Sequence, residues 1–375
     1  MSFVRYLSSG FAISCRLITT PYQAVTRFIK SYHTCGIYYV GEGKDWVTRR
    51  EGEAVMSYVR LLQPGIPCTV TTDSRWLYNQ IVHFGSLWNF VGNVPHTHNS
   101  NRLVATIFHG HEGMGSEMRK ALEIMNQSVS RLEAVITACT LMRNRLQEMG
   151  VPEEKLHVIP LGVSLQRFHP PSPEERLRQR KRLRIPEKTV CIGSFQKDGV
   201  GWGEGLEPKL IKGPDIFLEV VKRLSRSYPV FILLTGPARG YVKRGLEAIG
   251  IPYHHEYVRD YDELSAYYHC LDLYLVTSRE EGGPRALPEC MATGVPLVST
   301  RVGMAPDMIE QDVNGTLVEV EDMDSMVRAA ERLIEDVDLR RRLVENALQT
   351  VQPYDWSIVA RTYYDQIYAP LLEKR

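Results

Sequence analysis

Glu281 and Glu289 bracket seven residues that open on Gly282, Gly283 and Pro284. The run before them, "LDLYLV", reads as a buried strand. The run after, "PECMATG", opens like a helix, with Pro288 suited to its first turn and Gly294 to its end. Glu281 therefore belongs where a strand ends, and Glu289 in the first turn of the next helix. An acid in a first turn complements the helix dipole by about 0.3–1 kcal/mol. That accounts for Glu289 but leaves Glu281 and the glycines unexplained.

Lys197, Lys209 and Lys212 alternate with Gly199, Gly201, Gly203, Gly205 and Gly213 ahead of a helix that opens at Pro214. Lys212 and Gly213 at such an entrance can hold an anion between a point charge and backbone amides. The helix start near Ala286 is a second anion-friendly element. The glycines do not have the Gly-x-Gly-x-x-Gly spacing, and no Walker Gly-Lys-Ser/Thr occurs, so nicotinamide and P-loop readings are weak. Two anion sites on one sheet edge suit a diphosphate, and Glu289 would then accept two hydroxyl hydrogen bonds from a ribose. The sum points to a sugar nucleotide.

The elements that must position these groups are short strands alternating with helical patterns. "IYYV", "CTVTT", "IVHFG", "LVATIFHG", "AVITAC" and "LHVIPLG" form a first series, with helices over 114–131 and 140–149. A proline-rich, charged stretch over 164–187 reads as a linker with a solvated helix. A second series follows: "TVCIGSF", "VFILLTG", "LYLVTS", "PLVST" and "GTLVEV". The helix over 214–226 places Phe217, Val220, Val221 and Leu224 on one face. Repeated strand–helix units predict two doubly wound α/β domains with parallel sheets, whose ligands bind beyond the carboxyl ends of the strands. The expected division is a basic segment 1–36, a first domain 37–163, the linker, a second domain 188–352 and a C-terminal helix 353–375.

The 375 residues, 43% hydrophobic and 24% charged, describe an ordinary globular chain, and a formal charge of +1 speaks against a nucleic-acid partner. Seven scattered cysteines with no Cys-x-x-Cys pair favour reduced thiols in a cytoplasm. No apolar run approaches the ~18 residues of a spanning helix. Residues 1–41 carry Arg5, Arg16, Arg27 and Lys30 and no acid. Three readings of that opening stand: a transit peptide, a plain basic arm, or a segment (1–34) resting on the inner membrane face.

Taken together, these stretches resemble retaining glycosyltransferases of family four, which have the GT-B fold. The resemblance is carried by Glu281-x7-Glu289 with "CMATGVPLVST", by "VITACTLMRNRLQEMGVPEEKLHVIPLGVSLQRFHP", by "KGPDIFLEVVKRL" and by "AYYHCLDLYLVTS". It covers roughly residues 100 to 350 and is poor over 1–80. It implies an α/β chain of two Rossmann-like domains facing across a cleft. It further implies that Glu289 holds the ribose, Glu281 contacts the transferred sugar, Lys212 binds the diphosphate and His109 lies against the donor sugar. Gly193, Gly282, Gly283, Arg285 and Ala286 would complete the donor-binding set.

This chain departs from the family pattern at three points. Ser194 stands where the family has an arginine, with Lys197 as the expected substitute beside a long insertion over 198–211. Pro284 replaces a residue that would offer an amide. Gly303-Met304 replaces a Gly-Gly pair. Asp260-x-Asp262 could be mistaken for a metal-binding pair, but Asp260 with Glu263 fits a capping box better. His96, His98, His109 and His111 lack partners at zinc-ligand spacing.

The expectation is a glycosyltransferase that moves a sugar from a nucleotide-sugar donor to a glycan or lipid-linked acceptor hydroxyl, with retention and without a required cofactor or metal. It would act in polysaccharide or cell-envelope glycan synthesis. The alternatives are a nucleotide-sugar epimerase or phosphorylase of similar fold, or a non-catalytic sugar-nucleotide-binding protein.

Overall fold

Among the described residues, twelve short segments pair into two parallel sheets. The computed structural model describes residues 35–43 and 47–374; the basic segment 1–34, with its membrane reading, lies outside the described residues. The chain divides into two units. One gathers the residues up to Ile136 with Leu146–His157 and the residues from Ala360 onward; the other takes Thr137–Arg145 and Val158–Val359.

The first sheet contains β1 (Ile37–Val40), β2 (Cys68–Thr71), β3 (Ile81–Phe84), β4 (Arg102–Thr106), β5 (Leu132–Thr137) and β6 (Leu156–Val158), in the order β2-β1-β3-β4-β5-β6. The ladders joining β1 to β2 and β3, β3 to β4, and β4 to β5 are parallel. All six runs of the first series form strands. Helix Val47–Leu62 buries Val55, Met56 and Val59, and helix Ser116–Ser128 buries Met118, Ala121, Leu122 and Met125, the spacing of one helical face.

The stretch expected as one C-terminal helix is broken. Helix Trp356–Tyr363 runs into a π-helical turn at Tyr364–Tyr368 and a last helix at Ala369–Glu373. Its far end serves the first unit. Tyr363 donates to the buried Glu51 carboxylate at 3.1 Å, and Arg102 donates to the Leu371 carbonyl. Tyr368 lies 2.6 Å from Nδ1 of His83, whose Nε2 lies 2.7 Å from the Thr106 hydroxyl.

Burial holds the His83 imidazole neutral, its pKa pushed down to about 3. An unfolded histidine takes its proton near pH 6.5. Between those values the unfolded chain binds a proton that the folded chain refuses, so stability falls as pH drops from about 6.5 toward 3. The contribution approaches about 1.4 kcal/mol per pH unit. Urea unfolding at pH 7 and pH 5 should show this slope in the wild type and a shallower one in His83→Gln. Equal slopes would remove His83 as its source.

The second sheet contains β7 (Val190–Phe195), β8 (Val230–Thr235), β9 (Tyr253–Glu256), β10 (Leu273–Val276), β11 (Leu297–Thr300) and β12 (Thr316–Val318). Its order is β12-β11-β10-β7-β8-β9, parallel throughout. Strand β9, "YHHE", has no counterpart in the sequence reading. It is an edge strand with half-exposed side chains, so it carries no apolar signature. Helix Pro214–Leu224 buries Phe217, Val220, Val221 and Leu224 completely, against Ile192, Ile232 and Leu275 among others.

The linker helix spans Pro173–Arg182 and opens with a full capping box between Ser172 and Glu175. It is not wholly solvated, as the sequence had suggested. Arg178 and Lys181 are exposed, but Arg176 and Arg180 reach Asp272 at 2.6 and 3.0 Å and bond carbonyls of His269, Cys270 and Leu271. Those arginines fasten the linker to the turn that feeds β10.

Candidate functional site

In the second sheet the strand order runs outward from β7 through β8 to β9, then returns to place β10 on the other side of β7. Strand order reverses at β7 and β10, and in open parallel sheets the crevice at such a switch point takes ligands. Lys212 lies on the loop after β7, and Glu281 on the loop after β10. The two meet: Nζ of Lys212 is 2.5 Å from Oε1 of Glu281, which also accepts from the Ser278 hydroxyl at 2.9 Å.

Local chemistry explains why these loops converge. Lys212 ends a 3-10 turn, Leu210–Lys212, and Gly213 follows in the left-handed region at φ 62°. A Cβ on Gly213 would lie 1.9 Å from the Thr277 carbonyl oxygen, so only glycine fits there on both counts. Thr277 donates to the Gly213 carbonyl at 2.9 Å, and the amides of Arg279 and Glu280 donate to the Ile211 carbonyl. Arg279 then grips both carboxylate oxygens of Asp215, at 2.8 and 2.7 Å, in the first turn of helix Pro214–Leu224.

Helix Ala286–Thr293 begins one turn further on and ends at Gly294. Its Glu289 is buried, and both carboxylate oxygens are taken by tyrosines: Tyr268 donates at 2.6 Å and Tyr261 to the other oxygen. Burial, with Glu289 adding to it, holds the Tyr268 phenol far above its usual pKa, so it remains a donor. A plain dipole role for Glu289 needs neither tyrosine. The Leu287 amide donates to the Pro284 carbonyl, and Pro288 has no amide, which leaves Ala286 as the first-turn amide outside those bonds. Arg285 lies over the rings of Tyr261 (5.0 Å) and Trp356 (5.9 Å) and thus joins the Glu289 cluster. Gly282 and Gly283 make the turn between the two acids; a Cβ on Gly283 would press on Leu161 at 2.7 Å.

Other candidates fall elsewhere. Gly193 sits inside β7, where the space a side chain would need is filled by Leu271 and Tyr274. Ser194 is met by Arg239, a buried residue that donates to the Ser194 and Thr235 carbonyls at 2.5 and 2.7 Å and pairs with Asp198 at 2.9 Å. Lys197 holds its ammonium 4.0 Å over the exposed Trp202 indole. His109 lies in the first unit. Strand β4 ends at Thr106, so His109 belongs to the following loop and not to a strand end.

The Asp260 cap also differs from its expected form. Asp260 accepts from the Asp262 amide at 2.9 Å at the start of a 3-10 turn, Tyr261–Glu263, and Asp262 pairs with Arg167. Among the described residues, His111 caps a short turn and His98 bonds Ser100. Tyr261, Tyr268 and Arg239 went unread because each acts across a long sequence gap. The hydroxyls of "DYDELSAYYH" are a signal only once Glu289 is known to be buried.

Family models match both series: glycosyltransferase family 4 over residues 80–167, and glycosyl transferases group 1 over residues 206–350. The chain is 28% identical over 241 residues to a D-inositol 3-phosphate glycosyltransferase of Xylanimonas cellulosilytica, covering 60% of this chain and 54% of that protein. It is 26% identical over 249 residues to a GDP-mannose-dependent alpha-(1-6)-phosphatidylinositol monomannoside mannosyltransferase of Mycolicibacterium smegmatis, covering 63% and 62%. The matches thus span less than two thirds of either relative.

Among solved structures, Anabaena HepE in complex with UDP matches with TM-score 0.72 at 16% identity, over 90% of this chain and all of that one. Sucrose-phosphate synthase of Thermosynechococcus elongatus matches with TM-score 0.63 at 17% identity, over 88% and 81%. At such identities these likenesses speak for the fold, which is GT-B. The two family models together cover both strand–helix series, the second of them including Lys212, Glu281 and Glu289, and the chain belongs to glycosyltransferase family four.

Proposed function

We propose that this protein transfers a sugar from a nucleotide-sugar donor to the hydroxyl of a glycan or lipid-linked acceptor, with retention at the anomeric carbon. The observation that carries this reading is the meeting of Lys212 and Glu281 at the switch point between β7 and β10, on the loop that leads into the helix of the buried Glu289. An ammonium at the entrance of helix Pro214–Leu224 suits the charge that develops on a departing diphosphate. As the bond from the anomeric carbon to that diphosphate breaks and one to the acceptor oxygen forms, Lys212 stabilises the growing negative charge. Glu281 accepts hydroxyls of the sugar.

Glu289 would accept two ribose hydroxyls, replacing Tyr261 at one oxygen. Charged hydrogen bonds of this kind contribute about 1.5–3 kcal/mol each, so Glu289→Ala should weaken donor binding by about tenfold or more. Calorimetric titration of that variant checks the assignment; unchanged affinity with the fold intact would leave Glu289 a structural acid that orders Tyr261 and Tyr268.

The GDP-mannose-dependent relative and the UDP-bound neighbour support a nucleotide-sugar donor without choosing its base. Incubation with a panel of UDP-, GDP- and ADP-sugars, followed by assay of released nucleotide and of transfer to added glycans, tests the function directly. Failure of every donor to bind would favour the non-catalytic reading; sugar isomers without transfer would favour an epimerase.

Among the described residues no helix is long and apolar enough to cross a membrane. We further propose that residues 1–34 rest on an anionic membrane surface at the inner face, in support of polysaccharide or envelope-glycan synthesis. Each of Arg5, Arg16, Arg27 and Lys30 would contribute at most about 1 kcal/mol, within a Debye length. Salt-sensitive sedimentation with anionic liposomes is expected, and its loss on deletion of 1–34, with turnover on a soluble acceptor retained. Indifference to such liposomes at low salt would remove this role.

A further inference from the structure

The insertion after β7 is a folded hairpin. Its stem pairs Gly199 with Pro208 in antiparallel fashion, and Val200 donates to the Glu207 carbonyl at 2.9 Å. At its root the Lys209 amide donates to the Asp198 carbonyl at 2.7 Å, and the Asp198 side chain is locked by the buried Arg239. Its tip is tied as well: the amides of Gly240 and Tyr241 donate to the carbonyls of Glu204 and Gly205 at 2.7 and 2.8 Å. Gly205, at φ 71°, packs so closely on Ala238 that a Cβ would lie 2.2 Å from its carbonyl oxygen. Gly199 and Gly205 therefore serve the packing of the hairpin on Ala238, and the backbone of Lys209 is held at the stem.

From Lys209 the chain turns directly into the Leu210–Lys212 turn, whose last amide donates back to the Lys209 carbonyl at 2.8 Å. That bond sets Lys209 and Lys212 at the two ends of one turn, and the Lys209 ammonium feels the charges of Lys212, Lys197 and Glu281. Burial, then Lys212, presses its pKa below the ordinary lysine value, while Glu281 partly offsets them. Glu281 is already paired with Lys212. Among the described residues no carboxylate or hydrogen-bond acceptor engages the Lys209 ammonium. Half-buried, unpaired and crowded by two like charges, it has a standing cost that a bound anion would remove.

We infer that Lys209 is a second cation of the anion site beside Lys212, placed by the 198–209 hairpin to contact the diphosphate of the donor. This rests on the nucleotide-sugar reading above. It gives that role to Lys209 in preference to Lys197, whose ammonium is directed onto Trp202.

Calorimetry on the full chain with UDP, GDP and ADP, their monophosphates and inorganic pyrophosphate provides the test, applied to the wild type, Lys209→Met and Lys209→Arg. Loss of a charged contact predicts that Lys209→Met binds the preferred diphosphate about tenfold or more weakly, and its monophosphate within about threefold of wild type. Lys209→Arg should restore most of the difference. Melting temperatures and far-UV circular dichroism of both variants establish that the hairpin still folds. Unchanged diphosphate binding in Lys209→Met, or an equal loss for monophosphate and diphosphate, would overturn the assignment and leave the nucleotide reading standing. Wild-type binding of pyrophosphate but of no nucleotide, lost in Lys209→Met, would support the lysine and sink the nucleotide reading. A wild type that binds none of these probes overturns both.

Discussion

Turnover by Lys212→Ala is expected to fall by roughly two to three powers of ten, the cost of removing a charge donor to a developing anion in a preorganised site. The variant also leaves Glu281, 10% exposed at its side chain, without the ammonium it touches. A thermal melt must therefore accompany the kinetics. If the fold holds and turnover on the best donor stays near wild type, Lys212 does not stabilise the leaving group. Lys197→Ala is a useful comparison, since its ammonium is engaged with Trp202. It should act more weakly than Lys212→Ala. Equal, severe losses would mean that both lysines share the diphosphate.

The second large effect concerns stability. Arg239 and Asp198 have side chains 0% and 1% exposed, and the arginine also satisfies the Ser194 and Thr235 carbonyls. Removing one partner of such a pair strands the other, which costs about 3–5 kcal/mol. Arg239→Met is thus expected to lower the urea midpoint of the second unit by that equivalent. The double variant Arg239→Met with Asp198→Asn, which leaves no buried charge, should recover part of the loss. A wild-type midpoint for Arg239→Met would mean that the pair contributes little, whatever its geometry.

How much of this was legible in the sequence depended on how local the chemistry was. Glu281, Glu289 and Lys212 lie where a strand ends or a helix begins, and such junctions are written in adjacent residues: an apolar run, a glycine, a proline. The strand series was legible for the same reason, except for β9, which is polar because it lies at an edge. His109 was placed a few residues wrong because Ile107 and Phe108 continue the apolar run after the ladder has stopped; Ile107 is buried outside any strand. The tyrosines on Glu289 stand 21 and 28 residues away, and Arg239 stands 45 from Ser194. Partnerships at that range leave no pattern that periodicity can detect. The glycines after β7 were visible, but their purpose was not. Their spacing matched no phosphate motif and gave only Gly213 a role; four of them lie in a hairpin packed on Ala238, and Gly213 stands at the helix entrance.

The residues from Ala360 onward complete the first unit, supplying Tyr363 to Glu51 and Tyr368 to His83. A ribosome releases the sheet strands of that unit early and these tyrosines late. At about 5–20 residues per second, synthesis of the intervening stretch takes tens of seconds. Throughout that interval the nascent first unit carries His83 and Glu51 without their phenol partners, while the second unit can already close on itself. Messages that stall between Val359 and Tyr368 would therefore yield a protein whose second unit is finished and whose first invites chaperones and proteases. Tags or fusions placed after Glu373 should be judged by what they do to the first unit, the one farther away in sequence.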